Sequence, residues 1–154
     1  MRISVIAVGR LKSGPETALA QQYLTRLTWP VTIREVEEKK KLPPAALRKR
    51  EGELLLSACA KTTTIIALDE RGMNLSSRDL ADRLGRWRDD GEAEITFIIG
   101  GAGGLDKAIL DRASLVLSLG PMTWPHQLAR GLLLEQLYRG QQILAGHPYH
   151  REML

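Results

Sequence analysis

A single α/β domain built on a mostly parallel sheet is predicted by three observations. Five short runs of aliphatic and β-branched residues alternate along the chain with five helical stretches, the pattern of successive strand–helix units. The runs at residues 3–8 and 95–99 carry no charge, as strands covered on both faces do. The chain has 154 residues with no internal repeat and no dividing linker, so one domain is expected over 1–154. A domain of this size buries roughly 70% of the surface its unfolded chain exposes. A hydrophobic content of 44% supplies the core without a disulfide or metal staple.

The first strand is ISVIAV at 3–8, closed by Gly9. Pro15 opens a helix whose Leu19, Tyr23, Leu24 and Leu27 recur at helical spacing, and Trp29-Pro30 stops it. Residues 31–36 alternate with period two, the mark of a half-exposed edge strand. A charged stretch and Pro43-Pro44 precede a helix over 45–60. Residues 63–68 form the third strand, Asp69-Glu70-Arg71-Gly72 reads as a turn, and Ser76 or Ser77 caps a helix running to Asp89. ITFII at 95–99 is the fourth strand and ends in Gly100-Gly101-Ala102-Gly103-Gly104. A short helix over 106–112 leads to a fifth strand at 115–117. Gly120-Pro121 then breaks the chain, and Pro125 starts the last helix, 126–145.

Lys plus Arg number 22 against 18 for Asp plus Glu, a net +4 that suits a polyanionic partner without requiring one. Basic residues gather at Lys39-Lys40-Lys41, Arg48-Lys49-Arg50 and Arg83/Arg86/Arg88, diluted by Glu37, Glu38, Glu51 and Asp82. Three Trp, three Tyr and one Phe are too few for a platform that stacks single-stranded bases. No apolar run approaches the ~18 residues of a membrane span, and residues 3–8 are too short for a signal-peptide core. The single cysteine, Cys59, excludes an internal disulfide and reads as inert helix packing among alanines. A cytoplasmic protein with no membrane partner is expected.

Three segments stand out as candidate sites. The glycine loop at 100–104 follows a strand and lets a ligand approach the main chain. It is neither a Walker loop, lacking Gly-Lys-Ser/Thr, nor G-x-G-x-x-G, whose last glycine would fall on Asp106. A plain strand-to-helix turn accounts for it equally well. LSLGPMTWPH at 117–126 joins a glycine, two prolines and Trp124 in a stiff loop short of charge. Such a loop suits a flat apolar ligand held by main-chain hydrogen bonds, such as an adenine ring; a capped helix start with His126 on the surface is the simpler alternative. HPYHR at 147–151 either frays, as termini do, or offers stacking through Tyr149, an imidazole in His150 and a phosphate fork in Arg151. His147 and His150 without a third ligand make a poor metal site, so no metal is expected. Glu135 and Arg139 stand four apart and should pair along the last helix. Its leucines (Leu128, Leu132, Leu133, Leu134, Leu137) spread over more than one face, so core or a second subunit covers it on several sides.

The runs ISVIAVGRLK, FIIGGAGGL, LSLGPMTWPHQLARGLLLEQLYRGQQI and HPYHRE together resemble the RlmH family. Its members are small SPOUT-class enzymes that methylate N3 of a pseudouridine in large-subunit (23S) rRNA with S-adenosylmethionine (SAM). The resemblance spans essentially the whole chain and is densest from Ile95 to Glu152. It implies a homodimer with a C-terminal trefoil knot within about 95–154, a rare exception to unthreaded chains. It places SAM in that knot, held at Leu68, at Gly101 and along Leu119, Gly120, Pro121, Met122, Thr123 and Trp124. It implies no RNA-binding extension, so the assembled ribosome supplies much of the recognition surface, and no DNA partner. Many members carry an acidic or bulkier residue where Gly103 stands, the one visible departure.

The reaction so implied must remove an imide proton and stabilise charge on the flanking carbonyl oxygens. The candidates are His126 or His150 as base or proton relay, Arg139 or Arg151 to stabilise charge or grip phosphate, and Tyr149 to stack on or orient the base. The tail of one subunit is expected to reach the SAM pocket of the other. Two other readings stay open: a SPOUT methyltransferase of another rRNA or tRNA site, and a non-catalytic ribosome-binding module.

Overall fold

The computed structural model describes residues 1–151. In chain order the elements are β1 (Arg2–Val8), α1 (Pro15–Leu24), β2 (Val31–Val36), α2 (Pro44–Ala58), β3 (Thr64–Asn74), α3 (Ser77–Asp89), β4 (Glu94–Ile99), α4 (Lys107–Arg112), β5 (Leu115–Ser118) and α5 (His126–Leu144). The strands form one sheet in the order β2-β1-β4-β3-β5, and every pairing is parallel. All five carboxyl ends therefore open onto the same edge, where the connecting loops collect.

Side chains alternate across a strand, and the core divides accordingly. Ile3, Val5, Ala7, Ile95, Phe97 and Ile99 face a layer closed by α1, α3 and α5 through Ala20, Leu80, Leu84, Leu133, Leu134 and Leu137. Ile6, Val8, Ile65, Ala67 and Ile98 face the other layer, closed by Leu55 of α2 and Ile109 of α4. Each fully buried aliphatic side chain is worth about 1.5–3 kcal/mol, which is why the buried stretches at 3–8, 64–68 and 95–99 carry no charge. β2 pairs only with β1 and is the half-exposed edge its alternation predicts.

Three local readings are corrected. α1 stops at Leu24, and Leu27 and Trp29 pack against the core from the following loop. Cys59 lies one residue past α2 as its C-cap, where its Sγ contacts the Leu55 carbonyl oxygen at 3.3 Å and burial pushes the thiol pKa up. Residues 69–72 are not a turn between elements but the middle of β3. Leu68 pairs with Leu117, and the ladder resumes with Met73 on the same Leu117 and Asn74 on Ser118, so the intervening residues bulge outward. Gly72 permits the close approach to β5, because a Cβ there would stand 2.5 Å from the Val116 carbonyl oxygen.

α3 starts on a capping box in which the Ser76 hydroxyl accepts from the Asp79 N–H while the Asp79 carboxylate accepts from the Ser76 N–H. After β5 at the sheet edge, the chain returns through α5, which packs against α1 and α3. That path is consistent with the trefoil implied by the resemblance. Among the described residues no helix is long and apolar enough to cross a membrane.

Candidate active site

Two cavities flank the loop that follows β5. The larger, about 760 Å³, lies outside the carboxyl ends of β3, β4 and β5, where open α/β sheets bind ligands. Leu68, Gly101, Leu119, Met122, Thr123, Trp124 and His126 all line it. Gly120 and Pro121 turn instead into a second cavity of about 650 Å³, lined also by Leu75, Leu80, Leu132, Glu135 and Gln136. Leu119 and Trp124 line both, so the loop is a shared wall.

That wall is tied down from both sides. The Thr123 hydroxyl donates to Glu70 Oε2 at 2.8 Å, and the Trp124 indole N–H donates to the Leu119 carbonyl oxygen at 3.3 Å. The Gly120 N–H donates to Ser118 Oγ at 3.1 Å, with Gly120 at φ +109°, a conformation that favours glycine. The β3 bulge thus serves as the loop's anchor. In the same bulge Arg71 grips Asp69 with two bonds of 3.1 Å, which hold the Asp69 carboxyl below its usual range against the opposing effect of burial.

The glycine loop presents its main chain to the larger cavity. A Cβ on Gly101 would point away from that space, to 3.0 Å from Val8 Cγ1 and 3.3 Å from Glu51 Oε2. A Cβ on Gly103 would meet nothing within 4 Å, so this position has room for the larger residues that resemblance to the family implies elsewhere. His126, the first residue of α5, reaches the Gly9 turn, its Nε2 3.6 Å from where a Gly9 Cβ would sit.

The tail does not fray through Tyr149 and His150. Both are half-buried against α5 and form a cluster around Glu135 and Arg139. Arg139 holds Glu135 through Nη2 at 2.6 Å and Nε at 3.0 Å, its guanidinium carbon lies 4.9 Å from the Tyr149 ring centroid, and its Nη1 is 3.1 Å from His150 Nδ1. The Tyr149 hydroxyl donates to Glu135 Oε1 at 3.2 Å, and its ring meets Tyr138 edge-on at 4.8 Å. Burial, with the Glu135 carboxylate, pushes the Tyr149 phenol up to about 12, so Tyr149 stays a donor. Arginine has no acceptor, so His150 Nδ1 accepts and the neutral ring carries its proton on Nε2. Arg139 is therefore engaged within its own subunit by Glu135, Tyr149 and His150. Arg151 is exposed, and Glu152 of the HPYHRE run lies outside the described residues.

His126 and Arg139 are thirteen residues apart on α5, about 20 Å along its axis. One subunit therefore does not bring His126 and the tail cluster together. The cavities meet only across the 119–124 loop, from which Met122 stands 72% exposed.

Two residues escaped the sequence reading. Arg130 is 2% exposed; its Nη1 bonds Glu35, its Nη2 donates to the Gly9 carbonyl oxygen at 2.8 Å, and its buried Nε has no hydrogen-bond partner. Burial opposes ionisation of Glu35, but the bonds from Arg130 and the Leu11 N–H outweigh it and hold the carboxyl below its usual range. This pair fixes the β1–α1 loop beside His126. The sequence signal was slight: Arg130 sits one turn after His126 on a stripe otherwise made of leucine and small residues. Glu51 is 9% exposed on α2, its carboxylate against Gly101, and burial raises its pKa.

The family described as "Predicted SPOUT methyltransferase" has a sequence profile that matches residues 1–150. The chain belongs to this family. Proteins named ribosomal RNA large subunit methyltransferase H are similar to it over nearly their whole length. The one from Rhodospirillum centenum is 52% identical over 151 residues, covering 98% of this chain and 99% of the relative. The one from Rhizobium johnstonii is 47% identical over 159 residues, with the same coverage. Two proteins of known structure share the fold at low identity. A methylase-family protein from Neisseria gonorrhoeae is 15% identical with a TM-score of 0.57, covering 99% of this chain and 88% of that one. One from Haemophilus influenzae is 12% identical with a TM-score of 0.58, covering 99% and 71%.

Proposed function

We propose that the protein is a SAM-dependent methyltransferase acting in the cytoplasm on N3 of a pseudouridine in 23S rRNA of assembled ribosomes. The observation that carries the reading is the pairing of a main-chain-lined cleft with a docked catalytic-type cluster across one anchored loop. The cleft suits SAM. Leu68, Ile99, Met122 and Trp124 offer apolar walls for an adenine and a thioether, while loops 100–104 and 119–124 bring main-chain groups close. When bound, SAM supplies an electrophilic methyl group on a sulfonium.

The rest of the chemistry falls to the protein. The imide proton must leave, and His126 stands at the cleft, so it is the candidate base. His150 presents an Nε2–H, so its role is to donate to a pseudouridine carbonyl oxygen as negative charge develops there. Arg139 holds that tautomer and orients the ring, and Tyr149 stacks on or positions the base. Arg151, exposed at the end of the described tail, is the candidate to grip a phosphate. Because one subunit keeps His126 and His150 apart, the working unit is a homodimer in which the tail of one subunit completes the cleft of the other. The exposed Met73, Met122 and Trp124 around the shared wall support a covering partner.

Purified protein is incubated with labelled SAM and ribosomes from cells lacking its gene, alongside free subunits and naked rRNA. Label entering the large-subunit RNA of whole ribosomes alone is the expected result. SAM binding with no transfer to any particle would move the substrate to another RNA, and ribosome association indifferent to SAM would favour a non-catalytic module.

A further inference from the structure

We propose that a basic rim on the carboxyl edge of the sheet, formed by the β1–α1 loop, the β2–α2 loop and the first half of α2, grips the rRNA phosphates around the target. The inference rests on the rRNA reading above and names the surface that serves it. In sequence these cations are diluted by acids; in space the acids of β2 and the β2–α2 loop are already engaged. Glu35 is bound by buried Arg130, Glu37 lies 3.8 Å from Arg10, and Glu38 is 3.0 Å from Arg50. Those same contacts join the three segments into one surface: Arg10–Glu37 links the first two loops, and Arg50–Glu38 links the second loop to α2.

The exposed Lys12, Lys39, Lys41, Arg48 and Lys49 remain, none in an ion pair with a described residue. Arg48 also lines the glycine-loop cleft, so the unpaired charge runs continuously up to the proposed SAM site. Exposed, unpaired cations along one edge match a phosphate backbone, which needs charge and no base-specific geometry. The other basic cluster differs. α3 leads from the carboxyl edge, after β3, to the start of β4 at the opposite edge, and in its last turn Arg88 is bonded to Asp89 at 3.0 Å.

The test compares K39Q/K41Q/K49Q with R83Q/R86Q/R88Q, which removes the same charge from α3. SAM affinity, ribosome binding by co-sedimentation and methyl transfer are each measured between 50 and 200 mM salt. Each lost phosphate contact lowers the log–log salt slope by ~0.7–0.9. Over that range, three contacts amount to a roughly 20–40-fold smaller loss of ribosome affinity for the rim variant than for wild type. The rim variant should also show a raised KM for ribosomes, with SAM affinity and saturated turnover kept, and the α3 variant should match wild type throughout. An unchanged salt slope in the rim variant, an equal effect of the α3 variant, or no ribosome binding by wild type would overturn the proposal. Salt-sensitive binding that the rim variant loses, in a wild type that transfers no methyl, would sustain the rim and refute the methyltransferase reading instead.

Discussion

Gly101→Ala separates two ways in which the glycine loop can matter. The added methyl would not enter the cleft. It would stand 3.0 Å from Val8 Cγ1 and 3.3 Å from Glu51 Oε2, behind the loop. Val8 ends a central strand and Glu51 sits in a helix packed on it, so the loop is the part that gives way. Overpacking of this kind costs about 1–3 kcal/mol, which for a chain of this length lowers Tm by roughly 2–12 °C. The loop is pushed toward the cleft by a few tenths of an ångström, and each 1.4 kcal/mol of lost contact weakens SAM about tenfold. Gly103→Ala is the matched control, since its methyl meets nothing within 4 Å. Scanning fluorimetry and calorimetric titration with SAM read both effects. Wild-type affinity and Tm in Gly101→Ala would refute the reasoning, as would an equal loss in Gly103→Ala.

Three further predictions concern groups off the cleft floor. His150→Ala should keep SAM affinity and slow transfer to ribosomes by about 10²–10³, the usual worth of one donor to a developing oxyanion; unchanged turnover removes it from the mechanism. Tyr149→Phe keeps the ring contacts with Tyr138 and Arg139 but loses the bond to Glu135. Turnover should fall severalfold at unchanged SAM affinity, and a loss confined to SAM binding would contradict this placement. Glu51 has its pKa raised by burial, so its charged form destabilises the fold at neutral pH and its protonated form does not. Glu51→Gln should therefore raise Tm at pH 7–8, with the gain shrinking as pH falls below the raised value and gone by the ordinary carboxylate pKa; a gain independent of pH would overturn the assignment.

The strand–helix alternation was legible because uncharged β-branched runs have few other uses, and both ligand loops were legible as glycine-bearing segments after strands. The β3 bulge was not, because Asp69-Glu70-Arg71-Gly72 meets the needs of a turn and of a bulge alike; only the register of β5 decides between them. The tail was ambiguous for a related reason. Tyr149 and His150 dock through Glu135 and Arg139, a pair whose own i, i+4 spacing predicted only their contact with each other. Arg130 and Glu51 were missed because burial of a charged residue is a property of tertiary packing, and their neighbours Gly9, Glu35 and Gly101 lie far off in sequence.

The central claim is that the cleft and the docked tail together methylate one pseudouridine. The most direct test digests the large-subunit RNA of ribosomes treated with enzyme and SAM, then locates the added methyl by mass spectrometry of the fragments and nucleosides. A single N3-methylated pseudouridine is expected, absent from untreated ribosomes of cells lacking the gene and absent when His150→Ala replaces the wild type at short times. A methyl on a ribose, on another base or scattered over many positions would contradict it.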